Sequence, residues 1–252
     1  MRRGPPWANR TSTPADPEPV PARYDVRTMD EMTVPTPGPE LSRCSWSGAA
    51  PEFLAYHDTE RGFPVGDDRR LFEKLCLEGF QSGLSWRTIL TKRENFRAAF
   101  AGFDIPSLAR FTARDVERLL QDAGIVRHRG KIEATIDNAR RAEELLEREG
   151  SLAAFVRRHE PAPTELSEPQ TVSTSAASVA LSKDLKRKGW AFVGPTTTFA
   201  FMQAMGLIND HAVKCAIRLE AERQRTAFTR SGRSGNGVTG DHSAPAPAPK
   251  AL

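Results

Sequence analysis

Two cysteines and two histidines stand in pairs at opposite ends of the apolar part of this 252-residue chain: Cys44 with His57, and His211 with Cys215. Thiolates and imidazoles in this number suit a tetrahedral Zn2+ ion with no position left for water, so the chemistry on offer is structural rather than hydrolytic. The four-residue spacing of His211 and Cys215 would bring both side chains to one face of a helix. Cys44 and His57 would come from a loop-rich start, and the site would staple the two ends of one domain. Any one of the four is, by residue type alone, more often a packed core residue than a ligand. His-x-x-x-Cys is also common by chance, so two spaced pairs shift that balance only modestly.

Two further segments could do chemistry. The run Leu77-Glu78-Gly79-Phe80-Gln81-Ser82-Gly83-Leu84-Ser85-Trp86 sets a carboxylate and an indole around two glycines. An acid among apolar residues is costly unless it is partnered. Glu78 is therefore either a solvated helix end or part of a site, and Trp86 either core or a stacking face; the residues alone favour the plainer reading of each. The second segment, Ala123-Gly124-Ile125-Val126-Arg127-His128-Arg129-Gly130-Lys131, joins two helical patterns through a short cationic turn bracketed by Gly124 and Gly130. Exposed N–H groups and the positive end of the following helix favour a phosphate there. Arg127, His128, Arg129 and Lys131 would reinforce it. The segment looks like a helix-hairpin-helix, which grips the DNA backbone without reading bases; an ordinary basic connection on the surface is the alternative.

The elements that must position these groups are helical. Apolar residues return every three or four positions between Asp67 and Leu207. Leu71, Phe72, Leu75 and Cys76 mark one helix, and Trp86, Ile89, Leu90, Phe96 and Phe100 the next. Another starts near Thr112, with Asp115 in its first turn. A long one runs from Lys131 to Leu146, with Gly150 as its stop. A Ser/Thr/Pro connection from Pro161 to Ser175 feeds a helix holding Val179, Leu181 and Leu185. A last pair holds Phe199 to Met205 and then Ile208 to the His211–Cys215 pair. No stretch alternates in polarity, so the fold class is all-α.

Nine of the 19 prolines fall in residues 1–40 and three more after residue 240. That divides the chain into a proline-rich, disordered tail over 1–40, a helical domain over 41–221, and a disordered basic and Ala-Pro tail over 222–252. The net charge of +4 splits into −1 for the first segment, +3 for the last and +2 for the domain. Net charge alone is thus a weak argument for nucleic acid, and the clustering in the hairpin matters more. Three cysteines, an odd number, and no apolar run resembling a signal peptide or a membrane span argue for a reduced, cytoplasmic setting without disulfides or membrane. Monomer is the default expectation.

Several motifs occur together and in order: Arg43-Cys44-Ser45-Trp46, Ala55-Tyr56-His57-Asp58, the Glu78 to Trp86 segment, Lys92-Arg93-Glu94-Asn95-Phe96-Arg97, the basic hairpin, Ser173-Thr174-Ser175 and Asn209-Asp210-His211. In this order the chain resembles the 3-methyladenine DNA glycosylase I family across the whole domain and neither tail. The resemblance implies a helix-hairpin-helix glycosylase that removes 3-methyladenine from alkylated double-stranded DNA by base flipping, without strand cleavage, and leaves the free base as product. It implies a structural Zn2+ on Cys44, His57, His211 and Cys215, Glu78 as the catalytic residue in contact with the base, and a base pocket of Tyr56, Trp46 and Trp86 with Phe53 beside them. Gly124, Arg127, His128, Arg129, Gly130 and Lys131 become the DNA-binding residues. The competing reading is a zinc-stapled DNA-binding module with little or no activity. A zinc hydrolase would need an open metal position, which four ligands do not leave. Two departures stand out: Glu60-Arg61-Gly62 where the family has Glu-Trp-Gly, and Phe80 where it has glutamine. Arg61 would set a cation at the pocket entrance, repelling a charged base unless it points at phosphate.

Overall fold

The computed structural model describes residues 42–235, with side chains described as far as residue 228. Eleven α-helices are found there and no strand, so among the described residues the chain is all-α. The expectations for residues 1–40 and for the Ala-Pro segment lie outside them.

The helix at the centre of the core is α2 (Asp68–Gln81), capped by the Asp67 side chain, which accepts from the Arg70 N–H at 2.8 Å. Every residue from Leu71 to Phe80 is buried, including Glu73, Lys74 and Glu78. A helix buried all round must satisfy its charges internally. Before it lies α1 (Pro51–Thr59), started by Pro51; after it come α3 (Trp86–Thr91) and α4 (Arg93–Ala99). The expectation of one helix from Trp86 to Phe100 is corrected: Lys92 caps α3 and opens α4 with a ψ of 2°, which breaks the ladder. The break turns the chain while Phe96 and Phe100 still stack, 6.1 Å apart, and Phe100 stacks on Phe103 at 5.7 Å.

The short α5 (Ile105–Ala109) leads to α6 (Ala113–Gln121), whose capping box joins Thr112 and Asp115. The 21-residue α7 (Arg129–Glu149) stops at Gly150 as expected and packs on α2, α5, α6 and α8 (Leu152–Arg157). Ser175 caps α9 (Ala176–Arg187), and Pro195 opens α10 (Pro195–Ala204), which packs on both α2 and α9.

Two expectations fail at the C-terminal end. No helix spans Ile208 to Cys215; α11 (Ala216–Gly235) begins just after the cysteine. Nor does the folded part end at residue 221. Ala221, Arg225 and Phe228, at helical spacing, form a face that composition hides: Arg225 donates to Gly206 O at 2.8 Å and Leu207 O at 2.9 Å, and the Arg157 guanidinium lies 4.5 Å from the Phe228 ring centroid. An arginine that buries its stem contributes like an apolar residue, which a hydrophobicity count misses.

The turn that Arg225 braces leaves no room for a side chain. Gly206 has φ +68°, and a Cβ there would lie 2.6 Å from backbone atoms of Phe63 and Pro64. Gly206→Ala should lower stability by at least about 2 kcal/mol, through strain and displaced backbone together. Thermal unfolding of the variant beside the wild type checks this.

Candidate functional site

The four metal-type residues converge. Cys44 precedes a short 3-10 turn, His57 sits in the last turn of α1, and His211 and Cys215 lie in the irregular segment before α11. All four are buried and their ligand atoms lie within 4.8 Å of one another, close enough to bind a metal ion. His57 Nε2 is 3.2 Å from His211 Nδ1 and 3.5 Å from Cys215 Sγ; His211 Nδ1 is 3.6 Å from Cys44 Sγ and 3.7 Å from Cys215 Sγ. The second pair meets through an Ala212–Cys215 turn, with Cys215 N donating to Ala212 O at 2.8 Å, rather than along a helix face.

Each ring nitrogen that faces away from the cluster has an oxygen partner. His57 Nδ1 is 2.7 Å from Asp58 Oδ1, and His211 Nε2 is 2.9 Å from the Arg61 carbonyl. Such partners fix ring orientation and tautomer. Asp58 is itself held by Arg43, with both carboxylate oxygens at 3.1 Å. Burial lowers the imidazole pKa of His57, and that of His211 to about 4, which leaves both rings neutral near pH 7 and ready to ligate; burial also raises the Cys44 thiol.

The sequence neighbours of these ligands build the second site. Tyr56 precedes His57, and Trp46 follows Cys44 by two. Tyr56 and Trp86 face one another at 5.3 Å and 45°; Trp46 stands 6.4 Å from Tyr56, and Phe53 one ring further out, edge-on to Trp46 at 5.9 Å. Trp86 Nε1 is buried without a hydrogen-bond partner. Glu78 is 5% exposed, so the helix-end reading of this acid is wrong. Its partner carries no expectation from the sequence: Lys74 Nζ lies 2.7 Å from Glu78 Oε1, 3.0 Å from the Tyr56 hydroxyl and 3.4 Å from the Trp86 ring centroid. The only signal for it is the four-residue spacing that pairs charges on a helix.

Tyr56, Lys74 and Trp86 also line a cavity of about 30 Å3, room for little more than a water. Glu73 and Glu60 at its wall are paired with Arg97 at 2.8 Å and Arg93 at 2.5 Å. A wider cavity, about 320 Å3, lies elsewhere, among His159, Leu166, Ser175, Phe199 and Asp210, and includes none of the slot aromatics.

Both departures make contacts within the protein. Arg61 is half-buried: its guanidinium lies over the Trp46 ring at 5.2 Å and 3.6 Å from Asp210 Oδ2. Phe80 is core, 4.7 Å from Phe96 and 5.7 Å from Phe100.

The basic hairpin joins α6 to α7 through residues 122–128. Ile125 is buried and anchors it. Lys92 donates to the carbonyls of Ala123 at 3.0 Å and Gly124 at 3.2 Å, and Asn95 to Gly124 O at 3.3 Å, which accounts for part of the Lys92–Arg97 motif. A Cβ on Gly124 would meet Asp122 Oδ1 at 2.9 Å and Asn95 Cβ at 3.2 Å, so the position takes only glycine without displacement. Arg127, His128 and Arg129 are exposed. His128 caps α7 through Nδ1, which accepts from Lys131 N at 3.2 Å, and Arg129 pairs with Glu117 at 2.7 Å. Gly130 is half-buried beside the His128 ring. Lys131 departs from its expected place among the phosphate contacts. It is buried, with Nζ 2.8 Å from Phe80 O and 2.5 Å from Ser82 O, so its charge closes the C-terminal end of α2. No described helix is long and apolar enough to cross a membrane.

A methyladenine glycosylase family model matches residues 46–219. The chain belongs to that family. The DNA-3-methyladenine glycosylase 1 of Escherichia coli K12 is 49% identical over 179 residues, covering 69% of this chain and 96% of the relative. The DNA-3-methyladenine glycosylase of Haemophilus influenzae Rd is 44% identical over 180 residues, with the same two shares. Among solved structures, one of 3-methyladenine DNA glycosylase I aligns at a TM-score of 0.65 and 48% identity, over 69% of this chain and 98% of the other. Another, on 3-methyladenine recognition by the Staphylococcus aureus enzyme, aligns at 0.67 and 35%, over 71% and 97%. The family match ends before Arg225 and Phe228.

Removing the carboxylate behind His57 should loosen a metal ion held by the four residues. Asp58→Ala is expected to weaken metal retention on the order of 10–100-fold, measured by competition with a chromophoric chelator.

Proposed function

We propose that this protein is a monofunctional DNA glycosylase that hydrolyses the N-glycosidic bond of 3-methyladenine in alkylated DNA. Membership of the methyladenine glycosylase family supports the activity, and a buried carboxylate tied through the Lys74 ammonium to two aromatic residues, Glu78 with Tyr56 and Trp86, is the observation that carries it into chemistry.

Adenine methylated on its ring carries a positive charge while attached to the sugar. A cationic purine is drawn to an aromatic face and to a carboxylate, whereas neutral adenine gains little from either. The same charge makes the base a good leaving group. Flipped from the duplex, it would stack on Trp86 and Tyr56, with Trp46 and Phe53 at the outer wall and Glu78 accepting its hydrogen bonds. The bond from C1′ to the base then breaks with its electrons going to the ring, which leaves neutral; water adds to the oxocarbenium-like C1′ and gives up a proton, leaving an abasic site. No lysine is assigned as nucleophile, so the strand stays intact.

The cluster is proposed to hold a structural Zn2+. Bonds of about 2.3 Å to sulfur and about 2.0–2.1 Å to nitrogen put tetrahedral neighbours roughly 3.3 Å apart for N–N and roughly 3.6 Å for N–S. The observed 3.2 Å and 3.5–3.7 Å match those edges. A bound ion supplies cross-linking here, and no step of the reaction passes through it.

The hairpin is proposed to take the DNA backbone on Arg127, His128 and Arg129 and on the backbone near Gly124 and Gly130. Lys131 supports this surface from inside.

The purified protein should release 3-methyladenine from methylated DNA, and Glu78→Gln should slow single-turnover release about a hundredfold and lower the melting temperature, because it leaves the buried Lys74 ammonium without its carboxylate. No release by metal-loaded wild type would leave the DNA-binding module as the reading. Arg127→Ala should weaken binding to all DNA sequences alike and reduce the slope of log affinity against log salt by about one; filter binding across a salt series measures it.

A further inference from the structure

The base slot already contains a cation, and it belongs to the protein. Lys74 is 6% exposed, and its ammonium makes both contacts expected of a methylated adenine: it lies over the Trp86 face at 3.4 Å and on the Glu78 carboxylate at 2.7 Å. The Tyr56 hydroxyl closes the third side at 3.0 Å. A buried carboxylate neutralises one charge, and a second cation brought beside it finds the acid taken and meets the repulsion of the first. Space gives the same answer. Tyr56 and Trp86 are 5.3 Å apart, whereas a flat ring between two others needs two contacts of about 3.5 Å each, roughly 7 Å in all. The ammonium sits on the very face of Trp86 that a base would cover.

We propose that Lys74 is a specificity-determining residue: its ammonium is a resident cation that a flipped base must displace from Glu78 and Trp86 before it can stack. The flexible four-carbon stem allows this withdrawal. Displacement opposes every incoming base, and a cationic base regains what the ammonium gives up, the carboxylate and the indole face. Undamaged adenine regains little, so an empty slot never faces normal DNA. The inference rests on the glycosylase reading of the slot.

Single-turnover release of 3-methyladenine by wild type, Lys74→Met and Lys74→Arg tests it. Methionine keeps the length of the stem and removes the charge, so the KM-type term should fall about tenfold while the rate at saturation changes little; Lys74→Arg should stay close to wild type. A small aromatic cation, N-methylpyridinium, should bind Lys74→Met and inhibit it competitively, and should leave wild type unaffected. Should methionine fail to fold, as a matched thermal melt would reveal, Lys74→Gln carries the same comparison. An unchanged or raised KM-type term in a folded, metal-loaded variant, or a borohydride-trapped bond between Lys74 and DNA, would overturn the proposal. Absence of release by wild type would instead overturn the glycosylase reading.

Discussion

The constraint on which the rest of the molecule depends is the meeting of two pairs of side chains more than 150 residues apart in sequence. Cys44 and His57 come from the first turns of the fold and His211 and Cys215 from its last connection, and all four are buried against one another. That contact does more than close the chain. Tyr56 is the neighbour of His57 and Trp46 lies two residues from Cys44, so the segment fixed by the cluster also carries the aromatic rings beside Lys74. The Arg61 carbonyl on His211 extends the same arrangement to the residue lying over Trp46. Holding the ends together therefore sets the distance between Tyr56, carried on α1, and Glu78 and Trp86, carried on or after α2.

The slot is an electrostatic device as much as a shaped one. Three acids are buried or half-buried around it, and each has a cation: Glu78 with Lys74, Glu73 with Arg97, Glu60 with Arg93. A buried charge lacking its partner is far more costly than a surface one. Selectivity for a charged base then comes from which partner holds Glu78 at a given moment, and not from a net field over the surface.

Much of this was legible in the residues. The helix run and the stop at Gly150 follow from periodicity and capping chemistry, and the grouping of the four Cys and His residues is suggested by side-chain type. What escaped did so for physical reasons. The His211–Cys215 spacing fits a helix face and also a tight turn before a helix, and only tertiary closure chooses between them. Lys131 sits in a cationic run that reads as surface, yet its stem crosses the core to carbonyls at the end of α2. Arg225 hides the last buried face because its charge outweighs its stem in any hydrophobicity count. Lys74 looks like an ordinary i, i+4 partner of Glu78, and nothing along the chain says that both face an indole.

The central claim is that the four-ligand cluster holds the aromatic wall against Glu78. The direct measurement is the single-turnover rate of 3-methyladenine release from methylated DNA while metal is withdrawn stepwise by a chelator. The rate should fall in step with the metal lost, one ion per chain. Full activity in the metal-free protein would contradict the claim.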